Sequence, residues 1–264
     1  MKADLSIVFY TANRLHEPFA GHVREQLLKS IDGEFPLIVV SHEPMPGFGD
    51  RNIVVENPTW GHLQIYRNIL TGALTAETEF LGLAEDDILY SHDHWRTHRP
   101  PSYRVSYDLS RWGLNSWCNP PLYGYRNRIV INQLLGPTKY VTDALQERFR
   151  KFEGVPEDKI PIQHFCEIGR FEDALGVTPR NFECYASPTP SVVFSHEEAF
   201  GYQSRGTRKS IGEFPRKELP FWGSAEKMLS LWTELPDHNV ARPASSEPNS
   251  PKPNPPGLAA PILA

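Results

Sequence analysis

The first 83 residues of the chain alternate short apolar runs with amphipathic segments. The apolar runs are rich in β-branched and aromatic residues, which predicts buried strands at residues 5–10, 37–41, 52–55 and 79–83. Residues 19–31 and 61–76 instead repeat apolar side chains every three or four positions, which predicts helices. This order of strands and helices predicts an α/β fold with a mostly parallel sheet flanked by helices.

The second half of the chain is less regular. Residues 100–136 are rich in Pro, Tyr, Trp and Asn, which predicts loops and short strands. Residues 137–151 carry apolar side chains at helical spacing, with Pro137 in the first turn, and predict a third helix. The run at residues 191–194 predicts one more strand.

Composition and charge limit the class of protein. Hydrophobic residues make up 39% and charged residues 22% of the 264 residues, which is typical of a soluble globular protein. The net charge of -5 shows no overall basic excess for nucleic acid, although a local basic patch could still bind it. No apolar run approaches the roughly 20 residues of a membrane helix, and the N-terminus does not resemble a secretory signal.

Two further features concern the environment and the end of the chain. The three cysteines, Cys118, Cys166 and Cys184, lack CxxC spacing, which favours reduced thiols in a cytoplasmic protein. Seven prolines fall within residues 241–264, with almost no large apolar residue before Leu258. Such a segment cannot bury a core, so we expect residues 237–264 to form a disordered, Pro-rich tail.

Three consecutive acids follow the fourth apolar run. Ligands of open α/β sheets bind outside the carboxyl ends of the strands, where Glu85, Asp86 and Asp87 should lie. In an extended segment, Glu85 and Asp87 point to the same side and can share a ligand, while Asp86 points elsewhere. Carboxylate oxygens suit Mg²⁺, Mn²⁺ or Ca²⁺, and a metal would relieve the repulsion between the acids. The alternative is a solvated acidic turn.

Two later clusters add candidate residues. Glu172 and Asp173 precede an Ala-Leu pair, so they either complement the dipole of a helix start or supply a general base. His196 follows the apolar run at 191–194, and a neutral imidazole is a common metal ligand. The basic residues beyond His196 either bind phosphate or belong to a solvated loop: Arg205, Arg208 and Lys209.

Four segments, taken in order, resemble those of a GT-A type nucleotide-sugar glycosyltransferase. SIVFYTANRL resembles the first strand and nucleotide-contacting turn, and AEDD resembles the DXD motif with Glu in its first position. GRFEDALG resembles the Glu-Asp motif, and FSHEEAFGYQSRGTRK resembles the late segment with the metal-binding His. The resemblance covers about residues 4–223 and extends to small bacterial and viral members, including enzymes that glycosylate hydroxymethylated DNA bases.

This resemblance implies a fold and a set of roles. It implies one GT-A (Rossmann-like) catalytic domain over residues 1–236 that includes a smaller acceptor-side subdomain. The nucleotide-sugar-binding half is expected at about 1–99 and the acceptor-side half at 100–236. The implied activity is metal-dependent, inverting transfer of a sugar from a UDP-linked donor, with Mn²⁺ or Mg²⁺. The implied metal ligands are Asp87, His196 and Glu85, and the implied base is Asp173. The implied donor-binding residues are Thr11, Asn13, Glu85, Asp86, Arg205, Arg208 and Lys209.

The acceptor is the least defined part of this hypothesis. Residues 110–128 combine aromatic and basic residues, which would suit a flipped, hydroxymethylated DNA base, or simply a packed subdomain. The candidate acceptor-binding residues are Trp112, Trp117, Tyr123, Tyr125 and Glu172. A glycan or lipid-linked acceptor, and a non-catalytic nucleotide-sugar or glycan binder, remain alternatives. The His and Asp spacing argues against a two-metal phosphohydrolase.

Overall fold

A computed structural model describes residues 3–59, 61–116, 118–194 and 211–233 of the chain. The chain alternates strands and helices in its first half and consists mainly of short strands afterwards. In chain order the elements are β1 (Leu5–Tyr10), α1 (Phe19–Ile31), β2 (Leu37–Ser41), β3 (Arg51–Val54), α2 (His62–Thr75), β4 (Phe80–Glu85), β5 (Ile88–Leu89), β6 (Arg104–Asp108), β7 (Arg111–Asn115), β8 (Leu122–Tyr125), β9 (Leu134–Pro137), α3 (Thr138–Lys151), α4 (Glu172–Leu175), β10 (Asn181–Tyr185), β11 (Ser191–Phe194), β12 (Glu213–Arg216), β13 (Glu218–Leu219), β14 (Gly223–Ser224) and α5 (Ala225–Thr233).

The strands form a large and a smaller sheet, with β13 and β14 as a separate hairpin. The large sheet has seven strands in the order β10-β6-β9-β4-β1-β2-β3, and the smaller sheet has five in the order β12-β8-β7-β11-β5. In the large sheet β1 runs parallel to β2 and β4, β2 to β3, and β6 to β10, whereas β9 is antiparallel to β4 and β6. The predicted α/β fold, a mostly parallel sheet flanked by helices, is confirmed.

Helices cover both faces of the large sheet, which explains why β1 is buried along its whole length. Val8 and Tyr10 point into one core cluster together with residues of α2 and α3. Ile7 and Phe9, which alternate with them, point into a second cluster on the α1 side. Full burial of each such apolar side chain stabilises the fold by about 1.5–3 kcal/mol. A third cluster packs the smaller sheet against α1 and α5.

Several element boundaries differ from the sequence prediction by one or two residues, and at two of them strand pairing is the reason. The prediction ended the fourth strand at Leu83, but β4 continues to Glu85, which pairs with Tyr10 of β1. The prediction placed Pro137 in the first turn of a helix, but Pro137 ends β9 opposite Phe80, and α3 begins one residue later. In both cases pairing with a neighbouring strand extends a strand over residues whose local sequence does not predict one.

Other predictions concern the whole chain. Among the described residues, no helix is both long and apolar enough to cross a membrane. Cys118, Cys166 and Cys184 are unpaired, as predicted for reduced thiols. Both sheets take strands from each side of the division near residue 99. The tail predicted at 237–264 lies outside the described residues.

The contact between α2 and β1 generates a stability prediction. A Cβ atom added to Gly72 would lie 2.2 Å from Cγ1 of Val8, so this glycine permits the close approach of helix and sheet. We expect Gly72→Ala to lower the free energy of unfolding by about 1–3 kcal/mol, because overpacking outweighs the higher helix propensity of alanine. Urea denaturation measures the change.

The matched control uses the same contact. Val8→Ala removes the two methyl groups that the added Cβ atom would meet, so the double variant Gly72→Ala/Val8→Ala should be more stable than the sum of the two single effects predicts. Strict additivity, or stabilisation by Gly72→Ala alone, would show that the helix does not lie as close to β1 as described.

Candidate functional site

The acids lie where the order of the strands reverses. From β1 the chain continues into β2 on one side, while β4 pairs with β1 on the other. Open α/β sheets bind their ligands at such a switch point, outside the carboxyl ends of the strands. Tyr10 pairs with Glu85, so Thr11 and Asp86, the next residues of the two strands, also lie side by side. The Thr11 hydroxyl donates a hydrogen bond to the Asp86 carboxylate.

A cleft opens beside this pair. It has a volume of about 170 Å³ and includes Thr11, Asn13 and Asp86 in its lining, together with Glu43 and Met45 from the segment after β2. Asn13 has a left-handed backbone with φ of 53°. Its Oδ1 atom accepts hydrogen bonds from the backbone N–H groups of His42 (2.9 Å) and Glu43 (3.0 Å). The structure therefore brings three candidate donor-binding residues together, and Asn13 ties the ends of β1 and β2.

Glu85 is half-buried at the end of β4. Its Oε2 atom accepts a hydrogen bond from Nδ2 of Asn132, and its backbone N–H donates to the Tyr90 hydroxyl at 3.2 Å. Burial, reinforced by the charge of Asp87, raises the pKa of Glu85 to about 8. The cluster therefore carries less than its full formal negative charge near neutral pH.

Asp87 lies where the two sheets meet. It ends the turn between β4 and β5, and β5 pairs antiparallel with β11. The backbone N–H of Phe194, the last residue of β11, donates to the carbonyl oxygen of Asp87 at 3.0 Å. The strand that precedes His196 therefore ends beside the acids. His196 itself, and the candidate phosphate-binding residues Arg205, Arg208 and Lys209, lie outside the described residues.

One basic residue beside the acids, Arg111, was not among the residues predicted for the site. Arg111 begins β7, and the charges of Asp87 and Glu85 act on its guanidinium group. Burial lowers the pKa of Arg111 to about 10, although the two acids act in the opposite direction. Its Nε atom is buried and has no hydrogen-bond partner within the described part of the chain. Side chains of neighbouring residues in a strand point to opposite faces, so Arg111 and Trp112 of β7 do not share a face. A prediction of this strand was the one signal in the sequence that could have assigned Arg111 a place apart from the aromatic residues around it.

The candidate acceptor aromatics lie on the other face of the smaller sheet. Trp112 packs against the third core cluster, which contains Tyr123, and the Tyr123 side chain is 0% exposed. The rings of Trp112 and Tyr125 are 5.7 Å apart and both residues are half-buried. Trp117 lies outside the described residues. The structure brings Arg111 to the acids and places Trp112 and Tyr123 in the packing between the smaller sheet and the helices.

Glu172 and Asp173 form the first turn of α4, as the sequence predicted, but their surroundings differ. The Glu172 side chain is 5% exposed, and its Oε1 atom accepts hydrogen bonds from Nη2 of Arg148 and from the backbone N–H of Gly169, both at 2.6 Å. Asp173 is exposed. The protein itself therefore engages the Glu172 carboxylate, while solvent and ligands can reach Asp173.

A further acid lies in the segment before α4. Glu167 is half-buried, and burial raises its pKa, although the nearby Arg170, whose Nη1 donates to Oε2 of Glu167 at 2.5 Å, opposes this. Tyr66 and Cys166 are each affected by the charges of both Glu167 and Glu85. Glu167 and Glu85 therefore both lie near Tyr66 and Cys166. Glu167 was not among the predicted site residues, because it lies outside the Glu-Asp motif that contains Asp173.

Another group of possible metal ligands lies elsewhere. Within the described ranges, the one set of three such side chains with donor atoms within 4.8 Å of one another is Asp32, Glu34 and His92. All three are exposed, and Glu34 also forms an ion pair with Arg96 at 3.0 Å. Exposed acidic groups of this kind are common in metal-free proteins, so Asp32 serves below as a control for the predicted site.

The buried pair of Arg148 and Glu172 yields a second stability prediction. Arg148 is 0% exposed, so Glu172→Gln would leave its charge without a counter-ion in the core. We expect a loss of about 3–5 kcal/mol in the free energy of unfolding. Asp173→Asn, at the neighbouring exposed position, should change it by less than about 0.5 kcal/mol. Chemical denaturation of both variants makes the comparison, and equal effects would contradict the described burial.

Comparisons with known proteins give likenesses among solved structures. No family model matches the chain, and no curated protein matches it. The chain is similar to a glycosyltransferase involved in glycosylation of the major capsid of PBCV-1, with 11% identity, a TM-score of 0.42 and coverage of 72% of this chain and 92% of that chain. It is similar to S. aureus TarS 1-349 in complex with UDP-GlcNAc, with 10% identity, a TM-score of 0.44 and coverage of 76% and 61%.

A Drosophila β1,4-galactosyltransferase 7 mutant, in a complex with manganese, UDP-Gal and xylobiose, is also similar, with 11% identity, a TM-score of 0.42 and coverage of 79% of this chain and 76% of that chain. Nucleotidyltransferases are among the other similar structures. At such low identities the likenesses concern the path of the backbone, so a function has to be argued from the residues of this chain.

Proposed function

We propose that the chain is a metal-dependent, inverting glycosyltransferase of the GT-A type that moves a sugar from a nucleotide-sugar donor, UDP-linked, to an acceptor hydroxyl. The observation that carries this proposal is the position of the acids: Glu85, Asp86 and Asp87 lie at the switch point between β1 and β4, beside the cleft that Thr11 and Asn13 line.

The cleft beside β1 is the proposed site of the nucleotide. Asn13 fixes the backbone of the segment after β2 and so shapes one wall of the cleft. Asp86 lines the cleft and accepts the Thr11 hydrogen bond, and a carboxylate, which accepts several hydrogen bonds, suits the hydroxyl groups of a ribose. The next residue, Asp87, adjoins the end of β11, so the diphosphate would extend from the nucleotide toward the smaller sheet.

Asp87, Glu85 and His196 are the proposed metal ligands, as predicted from the sequence. Two carboxylates and an imidazole suit Mn²⁺ or Mg²⁺, and the end of β11 beside Asp87 supports the approach of His196. The ion would neutralise the charge that develops on the leaving diphosphate. Arg205, Arg208 and Lys209 are proposed to add positive charge to the same group.

Asp173 is the proposed general base, because it is exposed and its partner in the motif, Glu172, is already paired with Arg148. Asp173 would take the proton of the acceptor hydroxyl as the oxygen attacks the anomeric carbon opposite the leaving diphosphate, which inverts the configuration. For Glu172 we now propose a structural role, positioning the turn that presents Asp173, in place of acceptor binding.

The proposed acceptor is a hydroxymethylated base in DNA, with a glycan or lipid-linked hydroxyl as the alternative. The proposed stacking residues are Trp112 and Tyr125, which are half-buried, and Trp117, which lies outside the described residues. Tyr123 is proposed to support them from the core. A panel of nucleotide-sugars with Mn²⁺, scored for nucleoside diphosphate release with and without hydroxymethylated DNA, tests donor and acceptor together. Absence of any donor turnover would favour a non-catalytic binder.

The metal assignment gives a third prediction. Asp87→Asn should abolish Mn²⁺-dependent release of nucleoside diphosphate without unfolding the protein, because it removes a proposed charged ligand. Asp32→Asn, in the exposed group with Glu34 and His92, is the matched control and should retain full turnover. Turnover that survives Asp87→Asn but falls with Asp32→Asn would move the metal site to the other group. Circular dichroism checks the fold of both variants.

The assignment of the general base gives a fourth prediction, which compares Asp173 with Glu167 as the residue that takes the proton. Asp173→Asn should reduce transfer by about a hundredfold or more with near-normal donor binding, whereas Glu167→Gln should reduce it only a few-fold. Single-turnover rates at saturating donor separate the chemical step from binding. The reverse ranking would assign the base to Glu167, whose raised pKa and position on the acid side would then become part of the mechanism.

A further inference from the structure

The guanidinium group of Arg111 lacks the partners that a partly buried charge normally has. Within the described part of the chain, its side chain makes no hydrogen bond, and its Nε atom is shielded from solvent. A guanidinium offers five N–H donors in a planar fork, and leaving a buried donor unpaired costs about 1–3 kcal/mol. Glu85 and Asp87 act on Arg111 through charge alone. The group is therefore arranged to donate to something that is not part of the described chain.

Two more arginines lie close enough to repel Arg111. The charges of Arg126 and Arg128 both act on its guanidinium group. Arg126 is held in place, because its backbone N–H donates to the Arg111 carbonyl oxygen at 2.9 Å and its Nη2 donates to Oδ1 of Asn115 at 2.6 Å. Arg128 is exposed. The charges of Asp87 and Glu85 offset this repulsion at Arg111 on the side of the acids, and an anion bound by Arg111 and Arg128 would offset it further.

Arg128 also connects this group to the second candidate base. Its charge acts on Glu167 as well as on Arg111. The basic group therefore extends from the acid cluster toward the segment that precedes α4. The described lining of the nucleotide cleft comes from β1, the segment after it, α1, the segment after β2, and Asp86, with no residue from the smaller sheet. Arg111, Arg126 and Arg128 are thus not part of the described lining of the cleft.

We propose that Arg111 and Arg128 form a phosphate-binding site for the acceptor, so that the acceptor of this enzyme carries a phosphate near the hydroxyl that is glycosylated. The proposal rests on the proposed function, which places the nucleotide in the cleft beside β1. Guanidinium groups bind phosphate oxygens through paired, charge-assisted hydrogen bonds, which fits the unpaired donors of Arg111. A phosphate could also come from the donor diphosphate, and the experiment below separates the two sources.

The test titrates inorganic phosphate into the full-length protein, by calorimetry, after its nucleotide site has been saturated with UDP and Mg²⁺. We expect phosphate to bind under these conditions. Arg128→Gln and Arg111→Gln should each weaken phosphate binding about tenfold while the affinity for UDP stays the same. Arg51→Gln, an exposed charge removal on β3, is the control and should change neither affinity.

The outcomes distinguish a failure of the acceptor phosphate site from a failure of the proposed function. Phosphate that binds only when UDP is absent, or a loss of UDP affinity in Arg111→Gln and Arg128→Gln, would assign the arginines to the donor diphosphate and overturn the proposal. Absence of phosphate binding would also overturn it. Failure of the wild-type protein to bind UDP would instead contradict the proposed function. Because Arg128 is exposed, its variant remains informative even if Arg111→Gln does not fold.

Discussion

The register between β1 and β4 positions everything else in the candidate site. Tyr10 opposes Glu85 in this parallel pair, and the same register sends Val8 and Tyr10 to the α2 side and Ile7 and Phe9 to the α1 side. A shift of one residue would turn each of these side chains to the opposite face, so burial on both faces fixes the register strongly. The hydrophobic core thereby also fixes the acids next to the cleft, because Thr11 and Asp86 simply follow the paired strand ends.

The acid cluster is tolerated because its negative charge is offset in several ways. Two like charges about 4 Å apart repel by roughly 4 kcal/mol at an effective dielectric constant of about 20. The raised pKa of Glu85 removes part of one charge near neutral pH, and Asn132 and Thr11 donate hydrogen bonds to two of the carboxylates. Arg111 supplies a positive charge on the side of the smaller sheet. These interactions reduce the repulsion among the three carboxylates.

The sequence was sufficient wherever local pattern decides the structure. The apolar runs of β1 and β2 and the helical repeat of α1 predicted elements whose bounds the structure confirms. The residues that form these patterns are buried in the structure, so the local pattern was enough. The sequence was insufficient where a residue far away in the chain determines the secondary structure or the burial of a side chain. The last residues of β4 became a strand through pairing with β1, and Glu172 differs from its neighbour Asp173 only because Arg148 of α3 reaches it. Neither partner is recognisable from the local sequence.

The same reasoning explains why the basic residue of the site was missed and the aromatic residues were favoured. Arg111 and Trp112 are adjacent in a segment that is rich in aromatic residues. The aromatic residues of that segment suggested base stacking, so Trp112 and not Arg111 was predicted as a site residue. In β7 the two side chains point to opposite faces, and the smaller sheet is oriented by its pairing through β11 and β5 to the turn at Asp87. That pairing places the face with Arg111 against the acids and the face with Trp112 against the third core cluster. The proposed phosphate-bearing acceptor therefore rests on a charge that strand pairing brings to the acids, whereas the proposed stacking residues lie on the opposite face of the same sheet.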